Sequence, residues 1–432
     1  MRAIRCTLLL ILVHSFVSAS EQVSASGDST NVKSDSLTSR GIRLHSEARY
    51  ADAITALMRA GADSGSATAR FYLGLSYSGL NEFRDAAKHI SAAVRLDSLN
   101  IGYRYRLALT LAQLGEISKA QEQYETLLAK DPSFLPALFN LGVLLQEQRE
   151  FRRSSELFLK VIRRRPTDFL SFYNLGVCMT ALEQPDSARV CYATSMTLNP
   201  SHVPAIVNLA SFHYDRKNFD EALRLFRLAL RLRPTSPDLT YKVGQCFQQL
   251  QKWDFAKECF QAASALNPTR SDFAAQLGYT YFFTHQYDSS CIAYQRAIAL
   301  DTANSFYHLN LALAYSILDS TKSAIREFQR AIDLRHPEEL ARIYNQLAGV
   351  YFRTGQFPKA KASYQKALEV DSQNREARYY LSVTYDRVTD VRNARLSFEK
   401  YLAIAPKDTA QSNWKQYAKK RIREIDKKAA KR

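Results

Sequence analysis

Residues 167–200 read TDFLSFYNLGVCMTALEQPDSARVCYATSMTLNP, and the proline that closes this stretch decides the fold because it recurs. The prolines that share its spacing, 34 residues apart, are Pro132, Pro166, Pro200, Pro234 and Pro268. A fixed period of this length identifies a tandem repeat in which each unit buries its apolar face against its neighbours. The chain is therefore expected to be a solenoid, a class that offers a long binding surface rather than one reaction centre.

Small and large residues occupy fixed columns when the units are aligned on their prolines. In the quoted unit the columns are represented by Gly176, Ala188 and Tyr192. The first two columns hold only glycine, alanine or serine along the chain, as required where two helix backbones approach closely, and the third holds a large residue. Apolar residues within each unit have helical spacing, and proline ends the second helix because it has no amide donor. Each unit is thus predicted to be a helix, a short turn and a second helix.

These residues resemble the tetratricopeptide repeat family. The match is carried by Tyr173, Asn174, Leu175, Gly176, Ala188, Tyr192 and Pro200. The resemblance implies an all-α, right-handed superhelical solenoid of about eleven tandem helix-turn-helix units, between about residue 34 and residue 408. The first unit is one residue short, and two residues are inserted near Pro337 and Glu338.

The two ends differ from the array. Residues 1–19 carry Arg2 and Arg5, an apolar run and a small-residue cleavage signal, so we expect a signal peptide that is cleaved. The apolar run is shorter than the ~20 residues that span a bilayer, which makes retention as an anchor the weaker alternative. A Ser-rich linker at 20–36 and a basic capping helix and tail at 409–432 complete the organisation. We therefore expect an exported protein of the bacterial periplasm or cell envelope.

The net charge of +17 invites an anionic partner. Nine Lys or Arg residues lie in 409–432 beside two acidic ones, so much of the excess belongs to the tail. A solvated helix face explains such a tail, and attraction to lipid headgroups or to an anionic glycan is the alternative. Nucleic acid is disfavoured, because export and the absence of a base-reading motif both speak against it.

The cysteines allow two interpretations. Cys178 and Cys191 occupy two positions of one unit, and Cys246 and Cys259 occupy the same positions two units later. In an exported protein each pair could form a disulfide. Alternatively, each cysteine serves as a small buried hydrophobic residue.

The sequence contains no constellation that would support catalysis, a metal or a cofactor. It lacks a His-Glu-x-x-His motif, a phosphate-binding glycine loop and a nucleophile elbow. We therefore expect a non-enzymatic protein.

The resemblance also implies a partner-binding surface, because in the family the first helix of each unit lines the concave face. Aromatic and asparagine side chains recur there, and asparagine amides can both donate to and accept from a peptide backbone. The predicted partner-binding residues are Tyr105, Phe139, Asn140, Tyr173, Asn174, Asn208, Tyr241, Tyr279, Phe282, Phe283 and Asn310. Many of them also fit the generic repeat pattern, so fold maintenance is a competing explanation.

The favoured function is a scaffold that holds a protein or peptide in the groove during envelope assembly, with self-association as a further option for the array. Two alternatives stay open. One is a periplasmic glycan-binding or exopolysaccharide-export scaffold, which groove aromatics and positive charge would suit. The other is a membrane-associated regulator that binds anionic lipid through its basic tail.

Overall fold

The computed structural model describes residues 32–60, 66–334, 337–405 and 412–429. Within these ranges the chain forms 23 α-helices and no strand. The helices are α1 Val32–Ser46, α2 Tyr50–Arg59, α3 Ala67–Gly79, α4 Phe83–Leu96, α5 Ile101–Leu114, α6 Ile117–Lys130, α7 Leu135–Glu147, α8 Phe151–Arg164, α9 Phe169–Ala181, α10 Pro185–Leu198, α11 Val203–Asp215, α12 Phe219–Leu232, α13 Pro237–Gln249, α14 Trp253–Leu266, α15 Ser271–Phe283, α16 Tyr287–Leu300, α17 Ser305–Ile317, α18 Thr321–Asp333, α19 Pro337–Arg353, α20 Phe357–Val370, α21 Arg375–Arg387, α22 Val391–Ile404 and α23 Ser412–Ala429. The all-α solenoid class predicted from the period is confirmed.

Consecutive helices up to α22 form pairs, and the small and large columns meet inside each pair. A Cβ atom built on Gly176 of α9 would lie 2.6 Å from a ring carbon of Tyr192 on α10, which is closer than atoms can approach. The large column is at most 4% exposed at every member: Leu57, Ile90, Tyr124, Phe158, Tyr192, Phe226, Phe260, Tyr294, Phe328, Tyr364 and Phe398. The glycine column is therefore a packing requirement, which outweighs the ~1 kcal/mol that glycine costs in a helix.

Two serines stand where most units have alanine, and both have a specific partner. Ser154 Oγ donates to the carbonyl oxygen of Gly142 at 2.7 Å, and Ser290 Oγ donates to that of Gly278 at 2.8 Å. Both serines are fully buried. A buried hydroxyl needs such a partner, so the hydrogen bond across the helix pair makes serine compatible with a column of alanine.

The residue that ends the first helix of a pair recurs in the left-handed conformation. Glycine occupies this place at Gly115 (φ 83°) and Gly355 (φ 71°). Among the described residues the non-glycine members are Ala48, Asn81, Arg149, Glu183, Lys217, Gln251, His285, Asp319 and Thr389. Successive members are 34 residues apart, except for a step of 33 from Ala48 to Asn81 and a step of 36 from Asp319 to Gly355. These two steps place the short first unit and the two-residue insertion where the sequence predicts them.

The chain divides into two compact units, residues up to Phe212 and residues from His213 onward. In the first unit one core cluster joins α3 to α7 and includes Leu127, Leu141 and Leu145, which are almost fully buried. In the second unit one core cluster joins α17 to α21 and includes Phe328 and Ile343. Each unit thus has a hydrophobic core of its own.

The last helix, α23, packs on the end of the second unit. The Trp414 ring stacks on the Tyr379 ring at 4.5 Å between centroids, and Ala418 and Ile425 are buried beneath the helix. The Arg421 guanidinium donates to both carboxylate oxygens of Asp386, at 2.7 and 2.9 Å. The apolar side of α23 therefore covers α21 and α22, which is the arrangement expected of a capping helix.

The ends of the predicted organisation lie partly outside the described residues. The described ranges do not include the proposed signal peptide at 1–19, most of the linker at 20–36, or residues 430–432 of the tail. Helix α1 begins at Val32, so the last residues assigned to the linker belong to the first helix. Among the described helices, none has the length and apolar character needed to cross a bilayer.

Candidate partner-binding face

The predicted partner-binding residues lie on the first helices of their pairs, from α5 to α17. Several of them offer a partner little surface. Phe139 is 2% exposed and packs edge-on against Phe158. Asn174 and Asn310 are each 8% exposed, and their amides donate to carbonyl oxygens one turn earlier in the same helix. These three side chains are therefore committed to the fold.

A second group forms hydrogen bonds between neighbouring repeats. Asn140 Nδ2 donates to the Tyr105 hydroxyl at 2.9 Å, and Asn208 hydrogen-bonds to the Tyr173 hydroxyl at the same positions two repeats later. Gln276, which sequence reasoning did not single out, pairs with the Tyr241 hydroxyl in the second unit. Each amide lies 35 residues after its tyrosine. Asn140 and Asn208 thus tie one repeat to the next instead of presenting free amides to a peptide.

Burial controls the ionisation of these tyrosines. It raises the pKa of Tyr105 and of Tyr173, and it raises the pKa of Tyr241 to about 12, with the carboxylate of Asp272 acting in the same direction. The hydrogen bonds from Asn140 to Tyr105 and from Asn208 to Tyr173 lower those pKa values only in part. The hydroxyls therefore stay protonated at neutral pH and act as neutral hydrogen-bonding groups.

The remaining predicted residues form an aromatic cluster on the second unit, defined by Trp253, Tyr279, Phe282, Phe283 and Tyr287. The Trp253 ring stacks on the Phe283 ring at 4.9 Å with an interplanar angle of 8°. Tyr279 lies 4.6 Å from Phe283 by ring centroids, and Phe282 bridges Phe283 and Tyr287 at 5.9 and 5.5 Å. Phe283 remains 45% exposed within this set. The cluster is consequently the one part of the predicted set where a large apolar surface meets solvent.

Local sequence explains how the cluster is assembled. Tyr279 and Phe283 are four residues apart, which places them on one side of α15. Trp253 is the first residue of α14, so the turn between the two helices of the preceding pair brings its ring over Phe283. His285, in the left-handed conformation at the end of α15, accepts or donates a hydrogen bond at 2.8 Å to the Tyr287 hydroxyl. The turn after α15 therefore fixes one edge of the cluster.

Family models of the tetratricopeptide repeat match residues 71–133, 105–167, 205–233 and 341–374. The chain contains tetratricopeptide repeats in these segments. The matched segments come from both compact units, and they cover the helix pairs whose packing is described above. No curated protein matches the chain.

Several solved structures, some of them described as tetratricopeptide repeat proteins, are similar to this one. The C-terminal part of a repeat-containing protein from Cytophaga hutchinsonii is 18% identical, with 55% of this chain and 97% of that chain covered and a TM-score of 0.49. The Cut9–Hcn1 hetero-tetramer of the APC/C gives 14% identity, 89% and 96% coverage and a TM-score of 0.46. YrrB, described as having an unusual peptide-binding site, gives 20% identity, 42% and 93% coverage and a TM-score of 0.39.

The five cysteines of the described residues are free thiols, and the structure shows no disulfide among them. Cys178, Cys191, Cys246 and Cys259 are all unpaired, as is Cys291. The Cys178 thiol is fully buried and donates to the Ser154 hydroxyl at 3.3 Å. Burial raises the pKa of Cys191 and of Cys259 to about 11. Cys178, Cys246 and Cys291 are buried, whereas Cys191 and Cys259 are partly exposed, and the oxidation state of the cysteines stays a prediction.

Sequence reasoning missed two aromatic residues of this region besides Gln276. Trp253 was not included, although it is one of two tryptophans in the chain and begins a second helix. Phe255 on the same helix is 55% exposed and stacks on Phe247 at 5.2 Å. The signal in the sequence that includes both is an aromatic residue in the first turn of a second helix. Within the described ranges no group of three or more histidine, cysteine or acidic side chains is arranged to hold a metal ion.

Proposed function

We propose that this tetratricopeptide repeat protein is a non-enzymatic scaffold that binds a partner protein or peptide along its first helices, with the aromatic cluster at the centre of the contact. The proposal rests on the stacked pair of Trp253 and Phe283, in which Phe283 is 45% exposed. Proteins of this repeat family act generally as interaction scaffolds. The proposal assigns that role to one defined surface of this chain.

The chemistry of the cluster suits an interface centre. Large aromatic side chains contribute most of the binding energy at protein interfaces, and truncation of a central one costs about 2 kcal/mol or more. The rings are held rigidly, because Phe283 contacts Trp253, Tyr279 and Phe282 in the unbound protein. A rigid platform loses little side-chain entropy when a partner binds. The cluster therefore combines apolar surface with preorganisation.

The charge of the chain adds a second property of the partner. The net charge is +17, or +15 without Arg2 and Arg5 of the proposed signal peptide, so the protein attracts acidic partners over distances of about one Debye length, ~8 Å at physiological ionic strength. We therefore propose a partner with an acidic surface around an apolar contact segment. Its association rate should fall as the salt concentration rises.

The test places a photoreactive phenylalanine analogue at position 283 or, as the matched control, at position 255. Both natural residues are exposed phenylalanines, but Phe283 lies on a first helix and Phe255 on a second helix. We expect one discrete protein to be captured from position 283 and not from position 255. Phe283→Ala should weaken binding of that protein by about 30-fold, as for a central aromatic residue, and Phe255→Ala should leave it unchanged. Equal capture at both positions, or carbohydrate adducts in place of protein, would refute the proposal.

We further propose that the protein acts outside the cytoplasm, in the bacterial envelope. The support is the sequence of residues 1–19, where Arg2 and Arg5 precede the apolar run and the cleavage signal. The N-terminal sequence of the mature protein from its native cells should begin after Ala19. A mature protein that begins at Met1 and remains in the cytoplasmic fraction would contradict this proposal without touching the scaffold function.

A further inference from the structure

In the second unit, a repeated hydrogen bond joins the second helix of one repeat to the first helix of the next. A glutamine amide donates to the hydroxyl of a tyrosine that follows 20 residues later. The three pairs, with their nitrogen-to-oxygen distances, are Gln261–Tyr281 at 2.9 Å, Gln295–Tyr315 at 2.7 Å and Gln365–Tyr385 at 3.0 Å. The glutamine belongs to the second helix of one pair and the tyrosine to the first helix of the next. The bond therefore closes the junction between consecutive repeats.

The junction between α18 and α19 has the same two residue types but lacks this bond. Gln329 and Tyr351 occupy the corresponding positions, but they are 22 residues apart because the two-residue insertion lies between them. No hydrogen bond joins their side chains in the described part of the chain. Instead, both residues line a cleft of about 300 Å³ between α18, α19 and α20. The junction that this bond closes at three other places is therefore open at the insertion.

The cleft combines an apolar floor with unpaired polar groups. Its floor includes Leu347, which is 4% exposed, and the rings of Tyr344 and Tyr351. Lys366 Nζ lies 5.4 Å from the Tyr344 ring centroid, and Lys359 Nζ lies 5.6 Å from that of Tyr351. Within the described ranges neither ammonium group forms an ion pair.

The charges at the rim favour an anionic group. Lys359 and Lys366 are seven residues apart on α20, so they lie on the same side of that helix. Asp333 at the end of α18 is the one carboxylate among the lining residues, which leaves the lining with a net positive charge. All three side chains belong to solvent-exposed residues, so the cleft is open at its rim.

We propose that this cleft binds a peptide segment of a partner protein in which an apolar side chain stands next to an acidic one. The apolar side chain would pack on Leu347 and the two tyrosine rings, and the carboxylate would pair with Lys359 or Lys366. The volume lies at the lower end of that of small-ligand sites, which suits one side chain and its neighbour rather than a folded domain. The site shares no residue with the aromatic cluster, and it does not rest on the function proposed above.

The test uses two model dipeptides that differ only in the charge, N-acetyl-Asp-Phe-amide and N-acetyl-Asn-Phe-amide. Titration by ligand-observed NMR against the full chain measures the affinity of each. The aspartyl peptide should bind about three- to tenfold more tightly, which is the effect of one or two partly exposed ion pairs. Equal affinities would overturn the assignment of an acidic ligand, and no binding of either peptide would overturn the site.

Three variants locate the binding. Ala362→Trp fills the cleft from its exposed rim and should abolish binding of both dipeptides. The double variant Lys359→Met and Lys366→Met should remove the preference for the aspartyl peptide. The control is Lys361→Met, because Lys361 lies 5.8 Å from the Tyr385 ring at a closed junction and should not matter. Binding that survives Ala362→Trp, or a preference that survives the double variant, would overturn the proposal. If circular dichroism shows that Ala362→Trp does not fold, the double variant decides alone.

Discussion

The same substitution, glycine to alanine, should have opposite effects at two positions of this chain. Gly115 ends α5 with a φ of 83°, and its N–H donates to the carbonyl oxygens of Leu111 and Ala112. Gly349 lies inside α19. Gly115→Ala should destabilise the protein, and Gly349→Ala should stabilise it.

The magnitudes follow from the backbone and from the space around each glycine. A Cβ atom on Gly115 would meet nothing within 4 Å, so the substitution changes only the cost of the left-handed conformation. That cost is about 1–2 kcal/mol for alanine, of which about 0.4–1 is recovered because the unfolded chain loses freedom. The free energy of unfolding should fall by about 1 kcal/mol. At Gly349 the new Cβ would meet only the Tyr364 hydroxyl, at 3.9 Å, so alanine should gain the ~0.5–1 kcal/mol of its helix propensity.

Thermal unfolding followed by circular dichroism gives the sign, and hydrogen exchange on peptides of α5–α6 and α19–α20 gives the location. For a unit of this size 1 kcal/mol corresponds to a change of about 2–4 °C in Tm. Gly115→Asn serves as the control, because asparagine tolerates the left-handed conformation and Asn81 already occupies the equivalent place with a φ of 63°. The reasoning is refuted if both alanine variants shift Tm in one direction, or if asparagine costs as much as alanine at position 115.

Three other properties can be tested in the same protein. The five cysteines of the described residues should resist a thiol reagent at pH 8 and react fully in denaturant, because burial leaves few thiolates and raises the pKa of Cys246 to about 12. Fewer than five reactive thiols in unreduced, denatured protein would contradict the free state. Trp414→Ala removes the ring that stacks on Tyr379 and should lower the free energy of unfolding of this end by up to about 3 kcal/mol. Hydrogen exchange should become faster in α21–α23 and stay unchanged in α5–α8, whereas a uniform loss of protection would show that α23 is not a local cap. Tyr105→Phe leaves the Asn140 amide without its acceptor and should cost about 1 kcal/mol by urea unfolding, whereas an unchanged midpoint would show that the hydrogen bond is not stabilising.

The fold was predictable because its determinants are local and periodic. The glycine, alanine and large columns are visible in the sequence, and each meets its counterpart within one helix pair, as Gly176 meets Tyr192. The short first unit and the insertion near Pro337 were predictable for the same reason, since each changes the period. The number of units remains a prediction.

The candidate site was only partly predictable, because its properties depend on contacts between repeats. A recurring asparagine suggests an available amide, but Asn140 is used by a tyrosine 35 residues earlier. Trp253 contributes to the aromatic cluster from a different helix pair, and no motif links it to Phe283. The open junction near Tyr351 could not be predicted, because spacing shows the insertion but does not show which side chains lose their hydrogen bond.

The stacking of Trp414 on Tyr379 has a consequence for how such an array ends and grows. Trp414 follows Tyr379 by 35 residues, the same step that separates Tyr105 from Asn140. Helix α23 thus docks in the register of the first helix of a further unit. Lengthening the protein would need only one complete unit inserted ahead of α23. The first helix of that unit would have to supply an asparagine or glutamine at the position facing Tyr379. Trp414 would then lie one repeat further along the array and pack on the inserted helix pair as it now packs on α21 and α22.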